Sequence, residues 1–137
     1  MKPYEHKAQY YETDQMGIIH HSNYIRWFES ARIDFMGQMG VSYKAMEEEG
    51  IISPVLAVSC EYKSMVHFDD EVLITPSILE YNGIKLAISY VITDKKTGEV
   101  KTTGESRHCF LNKEGRPVSL KKQAPHFHEM FLKYSQQ

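Results

Sequence analysis

Hydrophobic and polar positions divide the chain into two textures. From Tyr4 to Tyr11 they alternate, with His6, Ala8 and Tyr10 on one side and Glu5, Lys7, Gln9 and Tyr11 on the other, which predicts a half-buried strand. A turn around Asp14 to Gly17 follows, and Ser22 or Asn23 can cap a helix by accepting an N–H bond from its first turn. Tyr24, Trp27, Phe28, Ala31 and Phe35 then recur at intervals of three and four, the longest helical pattern in the chain, with a strongly aromatic stripe. Gly37 and Gly40 are expected to close this helix, and Ser42 to cap a short second one ending at Gly50.

Beyond Pro54 the period shortens. Val55–Tyr62, Glu71–Glu80, Lys85–Thr93 and Val100–Leu111 are rich in β-branched and aromatic residues, and are divided by turn signals at Asn82-Gly83, Lys96-Thr97-Gly98 and Glu114-Gly115. Four antiparallel strands are expected here, with Pro125 to Tyr134 adding a short terminal helix. One strand, a helix pair and four strands make an α+β arrangement, in which a curved antiparallel sheet buries the aromatic stripe of the long helix in its concave face. Such a sheet leaves open edges, which a symmetric partner can cover, so a homo-oligomer is expected.

Composition narrows the function classes. With 42% hydrophobic residues in 137 and no linker-like run, a single domain spanning 1–137 is expected. The 16 Lys and Arg against 18 Asp and Glu carry no bulk bias toward nucleic acid. No apolar run approaches a membrane span and no secretory leader is legible, so the expected location is cytoplasmic. Cys60 and Cys109 stand far apart in apolar stretches, which predicts two free, buried thiols. His20-His21 and His126-x-His128 invite a metal reading, but adjacent histidines are expected to diverge and no third ligand completes a known spacing, so no metal is expected. Glu47-Glu48-Glu49 reads as a solvated face, and Tyr24, Trp27, Phe28 and Phe35 as core.

The densest chemistry lies in Glu12-Thr13-Asp14-Gln15-Met16-Gly17-Ile18-Ile19-His20-His21-Ser22-Asn23-Tyr24. From Thr13 onward, this segment resembles the signature of hotdog-fold acyl-CoA thioesterases of the 4-hydroxybenzoyl-CoA thioesterase type, including the bacterial Tol-Pal-associated thioesterases. That signature runs Thr or Cys, Asp, two variable residues, Gly, two aliphatic residues, then Asn or Ala at or near a Tyr. Looser similarity spans most of the chain, including Tyr62, Phe68-Asp69-Asp70 and the strand from His108 to Leu111 before Gly115-Arg116-Pro117. Many members carry Pro-Ala shortly after the position of Tyr62, where this chain has Met65-Val66, a difference that bears on acyl preference.

The resemblance implies that Asp14 is the catalytic carboxylate, as nucleophile or as general base on water, two roles the sequence leaves open. It implies that the backbone N–H of His21 donates to the oxyanion, with the His21 side chain able to orient water or Asp14. Gly17 would let backbone approach the ligand closely. Substrate contact is assigned in the same way to Ile18, Ile19, Tyr24 and Met65, and Asn23 and Tyr24 would brace the helix start. Coenzyme A would enter as part of the substrate, and no separate cofactor is expected. Lys63, Lys85, Arg107 and Lys121 are candidates for its phosphates by strand position. Two rival readings remain: a non-catalytic acyl-thioester binding module, and a hydratase or dehydratase. The segments usual for the last, Asp-x-Asn-Pro-x-x-His or His-Pro-Gly, do not occur.

Overall fold

Lys85–Asp94 shows most directly how side-chain pattern becomes sheet. Leu86, Ile88, Tyr90 and Ile92 fall at two-residue intervals and all four are buried on one face of a strand paired on both sides. The computed structural model describes residues 1–135, so the last two residues of the expected unit lie outside it. Within them the order is β1 (Tyr4–Lys7), a 3₁₀ turn (Tyr10–Glu12), α1 (Ser22–Met39), α2 (Tyr43–Glu48), β2 (Val55–Tyr62), β3 (Glu71–Tyr81), β4 (Lys85–Asp94), β5 (Val100–Cys109), α3 (Leu120–Gln123) and α4 (Pro125–Ser135). The sheet is antiparallel throughout, in the order β1-β3-β4-β5-β2, and the architecture is α+β.

Helix α1 buries Tyr24, Trp27, Phe28, Ala31, Arg32, Phe35, Met36 and Met39, a stripe one turn longer than the aromatic spacing predicts. Phe28 lies against the sheet: its ring stacks on Tyr90 at 4.4 Å, and a Cβ at Gly104 would come within 2.4 Å of it. Gly104 is therefore the dent in β5 that admits the helix. Pro76 sits inside β3 without cost to a ladder, because β1 pairs with β3 only from Glu71 to Ile74 and leaves the Pro76 side of the strand open.

Several expectations require correction. The first strand ends at Lys7, because residues 10–12 fold into a 3₁₀ turn in which the Gln9 N–H donates to Glu12 Oε1 at 2.8 Å. Tyr10 and Tyr11 consequently both face solvent. Helix α1 starts at Ser22, and neither Ser22 nor Asn23 caps it: His20 Nδ1 accepts the Ser22 N–H at 3.2 Å, while Asn23 Nδ2 donates to the carbonyls of Glu12 and His20. Gly37 lies within α1, and Gly40, at φ +85°, ends it. Ser42 caps α2 as expected, accepting from Ala45 N at 3.1 Å, but that helix stops at Glu48. β5 stops at Cys109, and Leu111 instead forms isolated bridges to Ile52 and Pro117. Cys60 and Cys109 are free but only half-buried.

Candidate active site

Thr13 to Ile19 form a miniature hairpin. Thr13 bridges Ile19, the Asp14 N–H donates to Ile18 O at 2.8 Å, and the Gly17 N–H donates to Asp14 O at 3.1 Å. Gly17 holds φ +79° with nothing within 4 Å of the place a Cβ would take, so turn geometry is what demands glycine there. Gly17 itself is not among the residues that line the cleft, although its neighbours Met16 and Ile18 are. Asp14 Oδ1 accepts the Met16 N–H at 2.8 Å, which orients the carboxylate and leaves Oδ2 without a protein donor among the described residues. The hairpin is docked by Ile19 N, which donates to Val66 O at 2.8 Å, and by a bridge from Ile18 to His67.

The chain then turns directly into α1. The His20 N–H returns to Glu12 O at 2.8 Å, whereas the His21 N–H, at the helix N-terminus, donates to no protein group among the described residues. An unpaired N–H at the positive end of an eighteen-residue helix favours a ligand atom carrying negative charge. The His20 and His21 rings stack 4.2 Å apart at 27°, so these adjacent histidines do not diverge as expected. The other histidine pair is spent elsewhere: His126 bonds Glu49 and His128 bonds Tyr81 Oη at 2.7 Å. Among the described residues no three His, Cys, Asp or Glu side chains converge as a metal group.

Asp14, Ile18, Ile19, His21, Tyr24 and Met65 line one cleft of about 700 Å³, within the usual ligand range of roughly 300–1,000 Å³. Six further residues complete it: Met16, Tyr62, Lys63, Ser64, His67 and Lys101. Of the four basic candidates only Lys63 reaches it. Lys85 and Arg107 line a separate depression with Leu56 and Glu80, and Lys121 lies on α3. Tyr62 stands against Tyr24 with ring centroids 5.2 Å apart, and its Oη lies 3.4 Å from His21 O. Lys101 escaped sequence reading because its role depends on strand register: its Nζ donates to Met65 O at 3.1 Å while its own carbonyl accepts from Lys63 N and Ser64 N. His67 had one local signal, its position beside the Phe68-Asp69-Asp70 turn, where its N–H donates to Asp70 Oδ2 at 2.8 Å. The cationic rim is weaker than its residue types suggest, since Lys101 leans on Glu99 at 2.8 Å and Lys63 on Glu61 at 3.6 Å.

The family model for the Thioesterase-like superfamily matches residues 9–133. YneP of Bacillus subtilis, provisionally named an acyl-CoA thioesterase, is 34% identical over 130 residues, which are 94% of each chain. The crystal structure of a DHNA-CoA thioesterase from Staphylococcus aureus superposes with a TM-score of 0.91 at 35% identity, covering 96% of this chain and 89% of that one. A hypothetical protein of Aquifex aeolicus superposes at 0.83 and 31% identity, covering 90% and 96%. The five-stranded antiparallel sheet with its helices is consistent with the hotdog thioesterase fold.

Proposed function

We propose that this chain, which belongs to the Thioesterase-like superfamily, hydrolyses acyl-CoA thioesters to free acid and thiol, with Asp14 as its catalytic carboxylate. The observation that carries the reading is that Asp14 and His21, whose backbone N–H is unpaired among the described residues, both line one cleft from the two ends of a single short segment. Thioester cleavage needs these two groups: a carboxylate that attacks the carbonyl or activates water, and a donor for the oxygen on which charge develops. With Oδ1 engaged by Met16 N, Oδ2 is the atom available for either role. A thiolate leaves readily, so no strong general acid is demanded. Ile18, Ile19, Tyr24 and Met65 would hold the acyl group, with Met16 and Tyr62 as further walls. Lys63 and Lys101 at the rim suit the anionic carrier, coenzyme A or an acyl carrier protein.

Motif spacing supports the 4-hydroxybenzoyl-CoA thioesterase type within the superfamily, with the sheet curved about α1. Two free cysteines accord with the cytoplasm, and no described helix is long and apolar enough to cross a membrane. The edge strand β2 supports a homodimer or homotetramer: all its residues but Cys60 are exposed, among them Val55, Leu56, Val58 and Tyr62.

The test is thiol release from a panel of aliphatic and aromatic CoA thioesters, DHNA-CoA included because the Staphylococcus aureus relative bears that name. Asp14→Asn is expected to lower kcat by more than about a hundredfold with the fold intact. Equal rates for the two proteins would remove Asp14 from the chemistry. Tight acyl-CoA binding with no turnover by the wild type would favour the binding-module reading.

A further inference from the structure

Glu12 is 5% exposed and does not line the cleft, yet it is the most heavily bonded side chain of the motif. Its Oε2 accepts Trp27 Nε1–H at 2.7 Å, and its Oε1 lies 2.8 Å from Gln9 N and 2.9 Å from His6 Nε2. Its backbone carbonyl accepts His20 N–H at 2.8 Å and Asn23 Nδ2–H at 2.9 Å. Burial opposes the charged form, but the hydrogen bonds from His6, Trp27 and Gln9 outweigh it and hold the carboxyl below its ordinary value. The group is therefore an acceptor throughout the neutral range, and His6 must present Nε2–H to it.

We infer that Glu12 is the positioning residue of this site, clamping the hairpin that carries Asp14 to the N-terminal part of α1, which His21 immediately precedes. The inference rests on the thioesterase reading above and adds a residue to it. Two groups at the opposite ends of an eight-residue segment can cooperate only if the segment's ends are held in one geometry. One side of the clamp is the 3₁₀ turn before Thr13, and the other is Trp27 and Asn23 on α1. Both sides meet on Glu12, which acts on substrate only through its neighbours.

Glu12→Gln keeps size but turns one acceptor into a donor, which faces N–H groups that have nowhere else to go. Trp27→Phe removes a single donor and leaves a ring. Both variants should lower kcat by roughly ten- to a hundredfold while KM changes less than about twofold. Amide hydrogen exchange should accelerate in residues 13–21 and stay unchanged in β4, at temperatures well below unfolding. Wild-type kcat and wild-type exchange in folded Trp27→Phe, with Asp14→Asn inactive, would overturn the positioning role and leave the thioesterase reading standing. A lowered melting temperature with unchanged kcat would do the same, marking Glu12 as a stabilising residue only. Should the wild type release no thiol, the thioesterase reading falls, and local exchange in residues 13–21 alone decides whether the clamp exists. Should Glu12→Gln not fold, Trp27→Phe carries the decision.

Discussion

At Asp14 the ordinary and the functional readings of one residue coexist. One oxygen serves the turn that any aspartate in this position would serve, and the other has no protein donor among the described residues, on a side chain that lines the cleft. Two glycines, Gly17 in the motif and Gly104 on β5, are required for different physical causes. Gly17 is required by a positive φ in open space, so Gly17→Ala should cost about 1–2 kcal/mol of stability from backbone strain alone. Gly104 has ordinary backbone but no room: a methyl group there meets Phe28 at 2.4 Å and Ser59 O at 2.7 Å. Gly104→Ala should destabilise by about 1–3 kcal/mol, with overpacking of α1 against β5 as the cause. Urea midpoints for the two variants check both values, and a neutral Gly104→Ala would mean that α1 does not press on β5 as described.

Between elements, polar bonds hold what apolar packing covers. Arg32 lies in the buried stripe of α1, where its Nε donates to Tyr43 Oη at 2.8 Å and a terminal nitrogen donates to Tyr90 Oη at 3.0 Å. Tyr90 Oη continues to Ser106 Oγ at 2.6 Å, and Ser106 Oγ to His108 Nε2 at 2.7 Å. This chain joins α1, α2, β4 and β5 without any carboxylate. Burial first, and the Arg32 charge second, push His108 down to about 4. Its folded value lies below the unfolded one, so the unfolded chain binds more protons between these values, and stability falls as pH drops through that window. Between pH 7 and about pH 5 His108 should account for about 2 kcal/mol of lost stability. Denaturation of wild type and His108→Asn at both pH values measures it, and an equal loss in the variant would acquit His108. Arg32 was not legible as a buried residue, because helical spacing marks the face a side chain shares and says nothing of the hydroxyls waiting there.

For the molecule as a whole the open question is β2. Val55 pairs with His108 and Val58 with Ser106, so both side chains share the face on which β4 and β5 are covered, yet they are 49% and 39% exposed. The same strand delivers Tyr62 to the cleft, so whatever covers β2 also borders the site. Val58→Lys on this edge should shift the proposed homo-oligomer toward monomer in sedimentation equilibrium and lower turnover with it. An unchanged mass would place the assembly on some other surface.

Sequence by itself determined the elements that rest on local periodicity, and it marked the segment here proposed to carry the chemistry. The stripe from Tyr24 to Phe35 and the alternation of Leu86, Ile88, Tyr90 and Ile92 each follow from the geometry of one helix or one strand, so neighbouring residues suffice to reveal them. The spacing of Asp14, Gly17 and His21 is local in the same sense. Tertiary structure alone decided the sheet order β1-β3-β4-β5-β2, the arrival of Lys101 and Tyr62 at the cleft, and the replacement of a strand by a 3₁₀ turn at Tyr10–Glu12. The sheet order and the cleft lining depend on partners distant in sequence, and the turn on a carboxylate whose partners include Trp27 on α1. The turn forms because the Glu12 carboxylate finds donors on β1 and α1, and the cleft closes because β5 register sets Lys101 against Met65. Asp14 and His21 lie at the two ends of one short segment of the chain, and the buried acid inferred to hold them to one cleft stands two residues upstream of Asp14, with a partner, Trp27, that only the fold brings within reach.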